Sequence, residues 1–378
     1  MPWGLLAQQA PEQVTATLDL DEKFTPGLSL LWSPSGQAVW DEMKAFHKVP
    51  AIELEPCTPV ADVLNRFQWD AARTLPDGTL IFSGEDSEAR RNEIRETLRK
   101  RIGPHASAMI GPYLPPAYLG KGVIRERTAL FVSCLSHSPQ FPLTFAKSKG
   151  QFRLSDGNQV PVQGLGCKGA QAAAYGDAVR VLADDLQGGC VLALALSAAD
   201  KEKPAFLLVA TRPGLASLGQ AVEWMRETLK KPEPADKAVK VGNSWWRWRH
   251  ELTGSDELWL PFLQTTLACD YGELVGKTYL RQRRDIGETF WRIREAQQLL
   301  SFRLNERGTM TQAVFKVVPD FLSVGGESGG LKPPEPKQLP PLPRRFLFNS
   351  PFVASLWIKG AEWPYLACWV DSKKVLAE

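Results

Sequence analysis

Histidines are the side chains best suited to acid–base catalysis near neutral pH, and the sequence contains four: His47, His105, His137 and His250. They lie in unrelated contexts. Acyl transfer needs a nucleophile with a base within reach. Because the contexts of the histidines indicate no such pair, we predict that the protein is not an enzyme.

Cysteines are the other candidates for chemistry, as metal ligands or as disulfide partners. They are widely separated, without a Cys-x-x-Cys pair or a neighbouring histidine that would complete a zinc site. Contexts such as Gly189-Cys190-Val191 are typical of small buried side chains. We therefore predict free thiols, no metal site and no cofactor. The cysteines are Cys57, Cys134, Cys167, Cys190, Cys269 and Cys368.

Aromatic and basic residues are interleaved in the segment Trp245-Trp-Arg-Trp-Arg-His250. Such a segment can stack on bases and neutralise phosphates. It also fits an amphipathic strand with tryptophan on one face and arginine on the other, which is the interpretation that we prefer. The whole chain has 45 Lys and Arg against 42 Asp and Glu, a net charge of +3. So small a charge creates no strong field, and we predict neither a nucleic-acid nor a membrane partner.

The elements that position these residues follow an order typical of an α+β fold. An apolar run at residues 28–32 precedes Ser33-Pro34-Ser35 and a helix-spaced stretch at 38–46, which predicts a strand, a cap and a helix. A β-prone run at 79–83 leads into an amphipathic helix at 88–102. Short strands separated by turn residues then fill 129–196, and a helical pattern covers 220–230.

One segment near the C-terminus has the composition of a linker. Residues 325–343 contain six prolines and four glycines, which cannot bury enough surface to fold alone. An apolar stretch at 346–370 follows and must return to the core. A span tethered at both ends by core strands is predicted to form an exposed loop.

The segment that precedes this loop, Leu300-Ser-Phe-Arg-Leu-Asn-Glu-Arg-Gly-Thr-Met-Thr-Gln-Ala-Val314, joins a strand pattern to small residues. Gly308 tolerates a wide range of backbone angles, and Thr309 can enter a sheet without overpacking it. Because strand side chains alternate between faces, Thr309, Thr311 and Ala313 point the same way. Such a small, uncharged face is suited to insertion into a packed sheet.

These residues resemble the strand of the serpin family that ends in Glu-x-Gly-Thr and leads into a small-residue hinge; Glu306, Gly308 and Thr309 match directly. Further segments resemble the family in the same order along the chain. Residues 128–145 are similar to its central strand, 174–194 to the strands around its Gly-Gly turn, and 258–263 to its Leu-Pro-x-Phe strand. Phe348-Asn-Ser-Pro-Phe-Val353 is close to the family's Phe-Asn-x-Pro-Phe motif.

The resemblance implies one serpin-like α+β domain over residues 1–378, with mostly antiparallel and mixed sheets, surrounding helices and an exposed reactive loop at about 309–343. The family's spacing from Glu306 places the bond that a peptidase would cut between Leu322 and Ser323. Arg344 or Arg345 is the competing position. The hinge residues that the resemblance implies are Glu306, Gly308, Thr309, Thr311 and Ala313.

A second group corresponds to the family's sheet-opening region. It comprises Ser33, Pro34, Ser133, Phe141 and Gln298. The family has Asn, Trp and His where Ser133, Phe141 and Gln298 stand, a second Ser where Gly36 stands, and paired methionines that are absent here. The sheet-opening cluster of the family is therefore only partly represented.

In function, the resemblance implies a peptidase inhibitor that works as a conformational trap. The target cleaves the loop, the Thr309 side inserts into the central sheet, and the acylated enzyme is dragged along and distorted. A large apolar residue before the cut suits a chymotrypsin-like or subtilisin-like pocket, so the expected partner of this monomer is a serine or cysteine peptidase. The alternative is a non-inhibitory protein of the same fold with a binding or structural role.

Membrane and targeting signals are weak. No run approaches the ~18 apolar residues that a spanning helix needs. Residues 1–10 contain no basic residue, so a complete secretory signal is not evident. We expect a soluble protein, and the sequence leaves open whether it is secreted or cytoplasmic.

Overall fold

The structure is a computed structural model that describes residues 13–85, 87–102, 129–186, 188–197, 203–232, 235–242, 244–284, 287–293, 295–314 and 339–377. Strands dominate these residues, and helices lie around them. The strands are β1 (Val14–Thr17), β2 (Ser29–Trp32), β3 (Leu54–Glu55), β4 (Leu80–Glu85), β5 (Ala129–His137), β6 (Ala146–Arg153), β7 (Gln159–Lys168), β8 (Val179–Asp184), β9 (Cys190–Leu196), β10 (Ala205–Thr211), β11 (Lys237–Val241), β12 (Ser244–Trp248), β13 (Glu257–Pro261), β14 (Leu263–Asp270), β15 (Thr278–Arg284), β16 (Gly287–Arg292), β17 (Gln297–Asn305), β18 (Gly308–Val314), β19 (Arg345–Leu347), β20 (Phe352–Ile358) and β21 (Leu366–Val370). The helices are α1 (Ser35–His47), α2 (Pro59–Arg66), α3 (Ala71–Thr74), α4 (Glu88–Ile102), α5 (Ala170–Ala174) and α6 (Leu218–Leu229), followed by a 3-10 turn at Lys373–Val375.

The largest sheet, sheet I, has seven strands in the order β1-β2-β21-β20-β10-β9-β8. The β1–β2 pair is parallel and the other neighbouring pairs are antiparallel. Every residue of β20 is buried, because this central strand has packed layers on both faces. Leu208 faces helix α6 in one apolar cluster, whereas Leu207 joins the main core on the other side.

Sheet II has five strands in the order β14-β17-β18-β5-β4, and all its neighbouring strands are antiparallel. Helix α1 packs on β5 and β4, and α4 packs on β4. Leu300 and Phe302 of β17 point into the main core that sheet II shares with sheet I. Alternate residues of β14 are exposed, so this edge of sheet II has one solvated face.

Sheet III has four strands in the order β19-β13-β7-β6 and closes the third side of the main core with residues such as Leu165. Two smaller sheets complete the fold, a β11–β12 hairpin and a three-stranded sheet in the order β16-β15-β3. On β12, Trp246 and Trp248 pack inward, while Arg247 lies on the opposite face with the exposed Trp245. The predicted alternation therefore holds, except that Trp245 shares the arginine face.

Local signals explain where the helices begin and end. Helix α2 starts at Pro59 behind Thr58, whose hydroxyl accepts a hydrogen bond from the Ala61 N–H. The hydroxyl of Ser217 caps α6 in the same way. The predicted helix at 38–46 lies within α1, and the one at 88–102 coincides with α4. The predicted α+β class is confirmed.

The cysteines are free thiols, as predicted. Four are buried, but Cys57 is exposed and Cys269 is half-buried, so the expectation of small buried side chains fails for Cys57. Burial raises the pKa of the Cys167, Cys190 and Cys368 thiols to about 12. Within the described ranges, no helix is both long and apolar enough to cross a membrane.

Candidate functional site

The connection between β17 and β18 is a tight turn at Glu306 and Arg307, because Asn305 pairs directly with Gly308. Gly308 has a φ of 152°, in the region that favours glycine. A Cβ atom on Gly308 would lie 2.5 Å from the Pro139 carbonyl oxygen and 2.6 Å from the Gln140 Cα atom. The motif therefore needs glycine here for both its backbone angle and its close contact.

The chain that follows β5 holds this turn through main-chain hydrogen bonds. The Phe145 N–H donates to the Glu306 carbonyl at 3.0 Å, and the Phe141 N–H donates to the Arg307 carbonyl at 2.7 Å. The Thr309 N–H donates to the Pro139 carbonyl at 3.0 Å. Phe141, which the resemblance assigned to the sheet-opening region, thus lies at the hinge, where its ring packs against Phe145.

The Glu306 side chain is nearly buried at the turn. Its carboxylate lies 3.2 Å from the Lys147 ammonium on β6 and 3.7 Å from the Arg307 guanidinium. Burial alone would raise the pKa of Glu306, but hydrogen bonds from its backbone and from Lys147, with the charges of Lys147 and Arg307, lower it below its ordinary value. The Glu306–Lys147 contact therefore joins the turn of sheet II to the edge strand of sheet III.

Strand β18 lies inside sheet II, between β17 and β5. Thr309 pairs with Leu304 of β17, and Thr311 pairs with both Phe302 of β17 and His137 of β5. Thr309 and Thr311 are 2% and 0% exposed, and in the described chain their hydroxyls have no hydrogen-bond partner. The first residues of the expected exposed loop, 309–314, are thus paired strand residues, and only the backbone of Ala313 is described.

Strand β5 extends beyond its pairing with β18. Strand β5 has nine residues, but β18 pairs only with Leu135, Ser136 and His137. The remainder of β5, residues 129–134, pairs with β4 on its other side. In the described chain, this part of β5 has no strand partner on the side that faces β17.

Three serines and a glutamine occupy the sheet-opening region. The Ser33 hydroxyl donates to the Tyr365 carbonyl at 3.2 Å, next to Pro34, which precedes the first turn of α1. The Gln298 Nε2 donates to the Ser35 Oγ at 3.2 Å. Ser133 on β5 is also buried, and its hydroxyl makes no hydrogen bond to any described residue.

Two members of this network were missed in the sequence. Ser35 stands directly after Pro34 and supplies the hydroxyl that Gly36 lacks, so the motif itself contained the signal. Tyr271 donates its hydroxyl proton to the Gln298 side-chain oxygen. The two residues are 27 positions apart, and no local pattern marks their pairing. Burial raises the pKa of Tyr271 far above its ordinary value, so the phenol remains a donor.

The far end of the loop, residues 339–345, is called here the distal flank. It is attached to β12 by hydrogen bonds from the Arg247 N–H to the Pro340 carbonyl at 2.8 Å and from the Leu342 N–H to the Arg247 carbonyl at 2.9 Å. Arg344 is buried, and its guanidinium donates to both Asp256 oxygens at 3.0 and 2.8 Å. The expected exposed loop up to 343 therefore ends in anchored residues.

The positions of Arg344 and Arg345 bear on where a peptidase could cut the loop. Arg344 is 5% exposed and ion-paired with Asp256, so a trypsin-like enzyme cannot reach it without unfolding the distal flank. Arg345 is more exposed but belongs to β19. Leu322 and Ser323 lie outside the described residues.

Among the described residues, no group of three or more His, Cys, Asp or Glu side chains is arranged to hold a metal ion. The site provides a position for one strand between β17 and β5, called here the slot, and the glycine turn leads into it. Such an arrangement suits a change of strand pairing.

No family model matches the sequence, and no curated protein matches it. The solved structures to which the chain is similar include several serpins. A cleaved serpin, Serpin 42Da, shares 14% identity over 77% of this chain and 76% of its own, with a TM-score of 0.40. Tengpin, a thermophilic serpin in the latent state, shares 10% identity over 93% of each chain, with a TM-score of 0.41. Human thyroxine-binding globulin shares 10% identity over 79% of this chain and 77% of its own, with a TM-score of 0.37. This likeness concerns the fold alone.

Proposed function

We propose that this protein is a serpin-like peptidase inhibitor that traps its target by inserting the chain after Gly308 into sheet II. The observation that carries the proposal is the placement of β18 between β17 and β5, with Thr309 and Thr311 buried in the sheet. Thr309 and Thr311, from the segment that the resemblance assigns to insertion, fit the slot in size, and β18 pairs with a strand on each side.

The register of β18 supports a longer insertion after cleavage. Thr311 stands opposite His137, so continuing the same antiparallel pairing brings Pro319 opposite Ala129, the first residue of β5. A proline removes a backbone donor and suits the end of a strand ladder. In the proposed mechanism, residues 315–319 complete the slot once the loop is cut.

The chemistry belongs to the peptidase. Its nucleophile attacks the carbonyl carbon before the cut, placed by proposal between Leu322 and Ser323, and the amine of Ser323 leaves with a proton. The acyl bond to the peptidase remains while the strand inserts and pulls the enzyme towards the far end of sheet II. A large apolar residue before the cut suits a chymotrypsin-like or subtilisin-like pocket, and the protein acts as a monomer.

The test is the formation of a covalent complex that survives SDS, using a panel of serine and cysteine peptidases. We expect wild type to form such a complex. Thr309→Arg is expected to be cleaved without trapping, because an unpaired guanidinium inside the sheet costs several kcal/mol. Gln264→Arg places the same side chain on an exposed position of β14 and is expected to trap normally. Trapping by Thr309→Arg at the wild-type level contradicts insertion.

A second candidate is a non-inhibitory protein of the same fold with a binding or structural role. One observation favours it: β18 is already paired within sheet II in the uncleaved chain. Insertion that has begun before cleavage leaves less free energy to distort an enzyme. Cleavage of wild type by every peptidase of the panel without an SDS-stable complex supports this second candidate.

A further inference from the structure

A polar cleft of about 430 Å³ lies between β12 and the distal flank. Arg247 of β12 and Arg249, which follows the last residue of that strand, form one wall. Leu339 and Pro341 of the distal flank contribute another. Both guanidinium groups approach the same Asp236 oxygen, Arg247 through its Nη2 and Arg249 through its Nε at 3.7 Å. The two guanidinium groups are therefore close enough to bind one small group together.

Both arginines keep unused donors. The Arg247 Nε and Nη2 both donate to one Asp236 oxygen, the Nε at 2.8 Å, and the Arg249 Nη2 donates to a Glu251 oxygen at 2.6 Å. The Arg249 Nε is buried and lies 3.7 Å from the same Asp236 oxygen. A guanidinium has five N–H donors in a planar fork that matches an oxyanion. The remaining donors of Arg247 and Arg249 are available to a ligand in the cleft.

The charges around the cleft favour an anion. Asp236 is shared by Arg247 and Arg249, and Glu251 is shared by Arg249 and Arg180. Asp177 also lines the cleft and lies 3.7 Å from Arg180, but its side chain is 99% exposed and its charge is screened by water. Three guanidinium groups thus share two part-buried carboxylates and one fully exposed carboxylate.

We propose that this cleft is a binding site for a small oxyanion, a carboxylate or a phosphate group, held between Arg247 and Arg249. The bound anion strengthens the attachment of the distal flank, because Arg247 also holds that flank through its backbone N–H and carbonyl. The proposal does not depend on inhibitory activity. It concerns the described end of the loop, whether or not a peptidase is trapped.

The first test measures binding by isothermal titration calorimetry with citrate and, separately, with inorganic phosphate, at an ionic strength held constant with sodium chloride. We expect saturable binding of at least one probe to wild type; the probe that binds identifies carboxylate or phosphate as the preferred group. Arg249→Gln is expected to lose at least tenfold in affinity, and Arg153→Gln, an exposed arginine on β6, to bind as wild type does.

Arg249→Lys is the control for a folding defect in Arg249→Gln. Lysine retains the positive charge beside Glu251 but lacks the planar fork. We expect it to unfold at the wild-type urea concentration and still to bind at least tenfold more weakly. The absence of saturable binding to wild type overturns the proposal. Equal binding by wild type and by both Arg249 variants overturns it as well.

The second test follows the distal flank by hydrogen exchange. The Leu342 N–H is bonded to the Arg247 carbonyl, so its exchange reports the attachment of the flank. A saturating concentration of the bound probe is expected to slow this exchange at least threefold in wild type and not in Arg249→Gln. Unchanged exchange in wild type despite binding overturns the proposed link between the anion and the flank.

Discussion

At the scale of single residues, the hinge is defined by the backbone of Gly308 and the carboxylate of Glu306. Gly308 combines a glycine-favoured φ with a position where a Cβ atom would overlap the main chain of residues 139 and 140. Glu306 is the acidic residue at the turn, and one of its partners, Lys147, comes from another sheet. Gly308 gives a prediction about backbone strain and steric overlap, and Glu306 gives one about charge.

Gly308→Ala is expected to lower the free energy of unfolding by about 2–4 kcal/mol, since backbone strain and overlap with Pro139 and Gln140 add together. The matched control is Gly157→Ala: φ there is 90°, but a Cβ atom would have no neighbour within 4 Å. The control should lose only about 1–2 kcal/mol, the cost of the backbone angle. Urea unfolding measures both, and equal losses would contradict the close contact at Gly308.

Glu306 predicts a pH dependence. Its pKa is lower in the folded protein than in the unfolded chain, so the ionised carboxylate stabilises the fold. This stabilisation is fully present above the ordinary glutamate pKa of about 4.3. It is lost as the pH falls through the lowered value. Wild type should therefore melt above Glu306→Gln at pH 7, and the difference should shrink towards pH 3. A difference that is the same at pH 7 and pH 3 would show that the charge contributes nothing.

At the scale of elements, β18 is the strand whose stability matters most to the proposed function. Its backbone is paired on both sides, but it buries two hydroxyl groups that have no partner among the described residues. A buried polar group without a hydrogen bond costs roughly 1–3 kcal/mol. These hydroxyls weaken the inserted strand relative to an exposed segment, in which water would satisfy them.

Thr311→Val is therefore expected to raise the free energy of unfolding by about 1 kcal/mol, because it keeps the shape and removes the unsatisfied hydroxyl. The control is Thr266→Val on β14, where the hydroxyl is hydrogen-bonded to the Ser301 Oγ at 3.0 Å. This control should be neutral or destabilising. If Thr311→Val is the less stable protein in urea, the hydroxyl has a partner and the weakness assigned to β18 is wrong.

These elements show which structural features could be predicted from the sequence and which could not. The need for glycine at the turn and for small residues after it could be predicted, because glycine, small side chains and strand alternation are local signals, and residues 300–314 contain all three. The pairing of β18 with β5 could not, because it joins Thr311 to His137, far apart in the chain. The same holds for Arg344 and Asp256, which are 88 positions apart. Long-range partners of this kind depend on how the sheets pack, which periodicity does not encode.

At the scale of the whole molecule, both ends of the loop are attached to the same core. The proximal end enters sheet II as β18, and the distal flank is fixed to β12 and Asp256. A cut between these two attachments leaves both of them in place. It removes only the covalent connection between the two ends of the loop. Any change in stability after cleavage therefore reports how much further β18 can extend along β5.

Cleavage at the proposed Leu322–Ser323 bond is expected to raise the melting temperature by about 5–10 °C, since several additional strand hydrogen bonds, each worth about 0.5–1.5 kcal/mol, would form beside β5. The protein would be nicked with a chymotrypsin-like peptidase, the cut confirmed by mass spectrometry of a C-terminal fragment that begins at Ser323, and both forms melted under identical conditions. Thr309→Arg nicked at the same bond is the control, and its melting temperature should not rise, because β18 cannot remain in the sheet.

An unchanged melting temperature for nicked wild type would mean that insertion stops at β18, which favours the non-inhibitory function. A fragment that begins only beyond Pro343 would instead place the cut in the distal flank and overturn the assignment of the scissile bond.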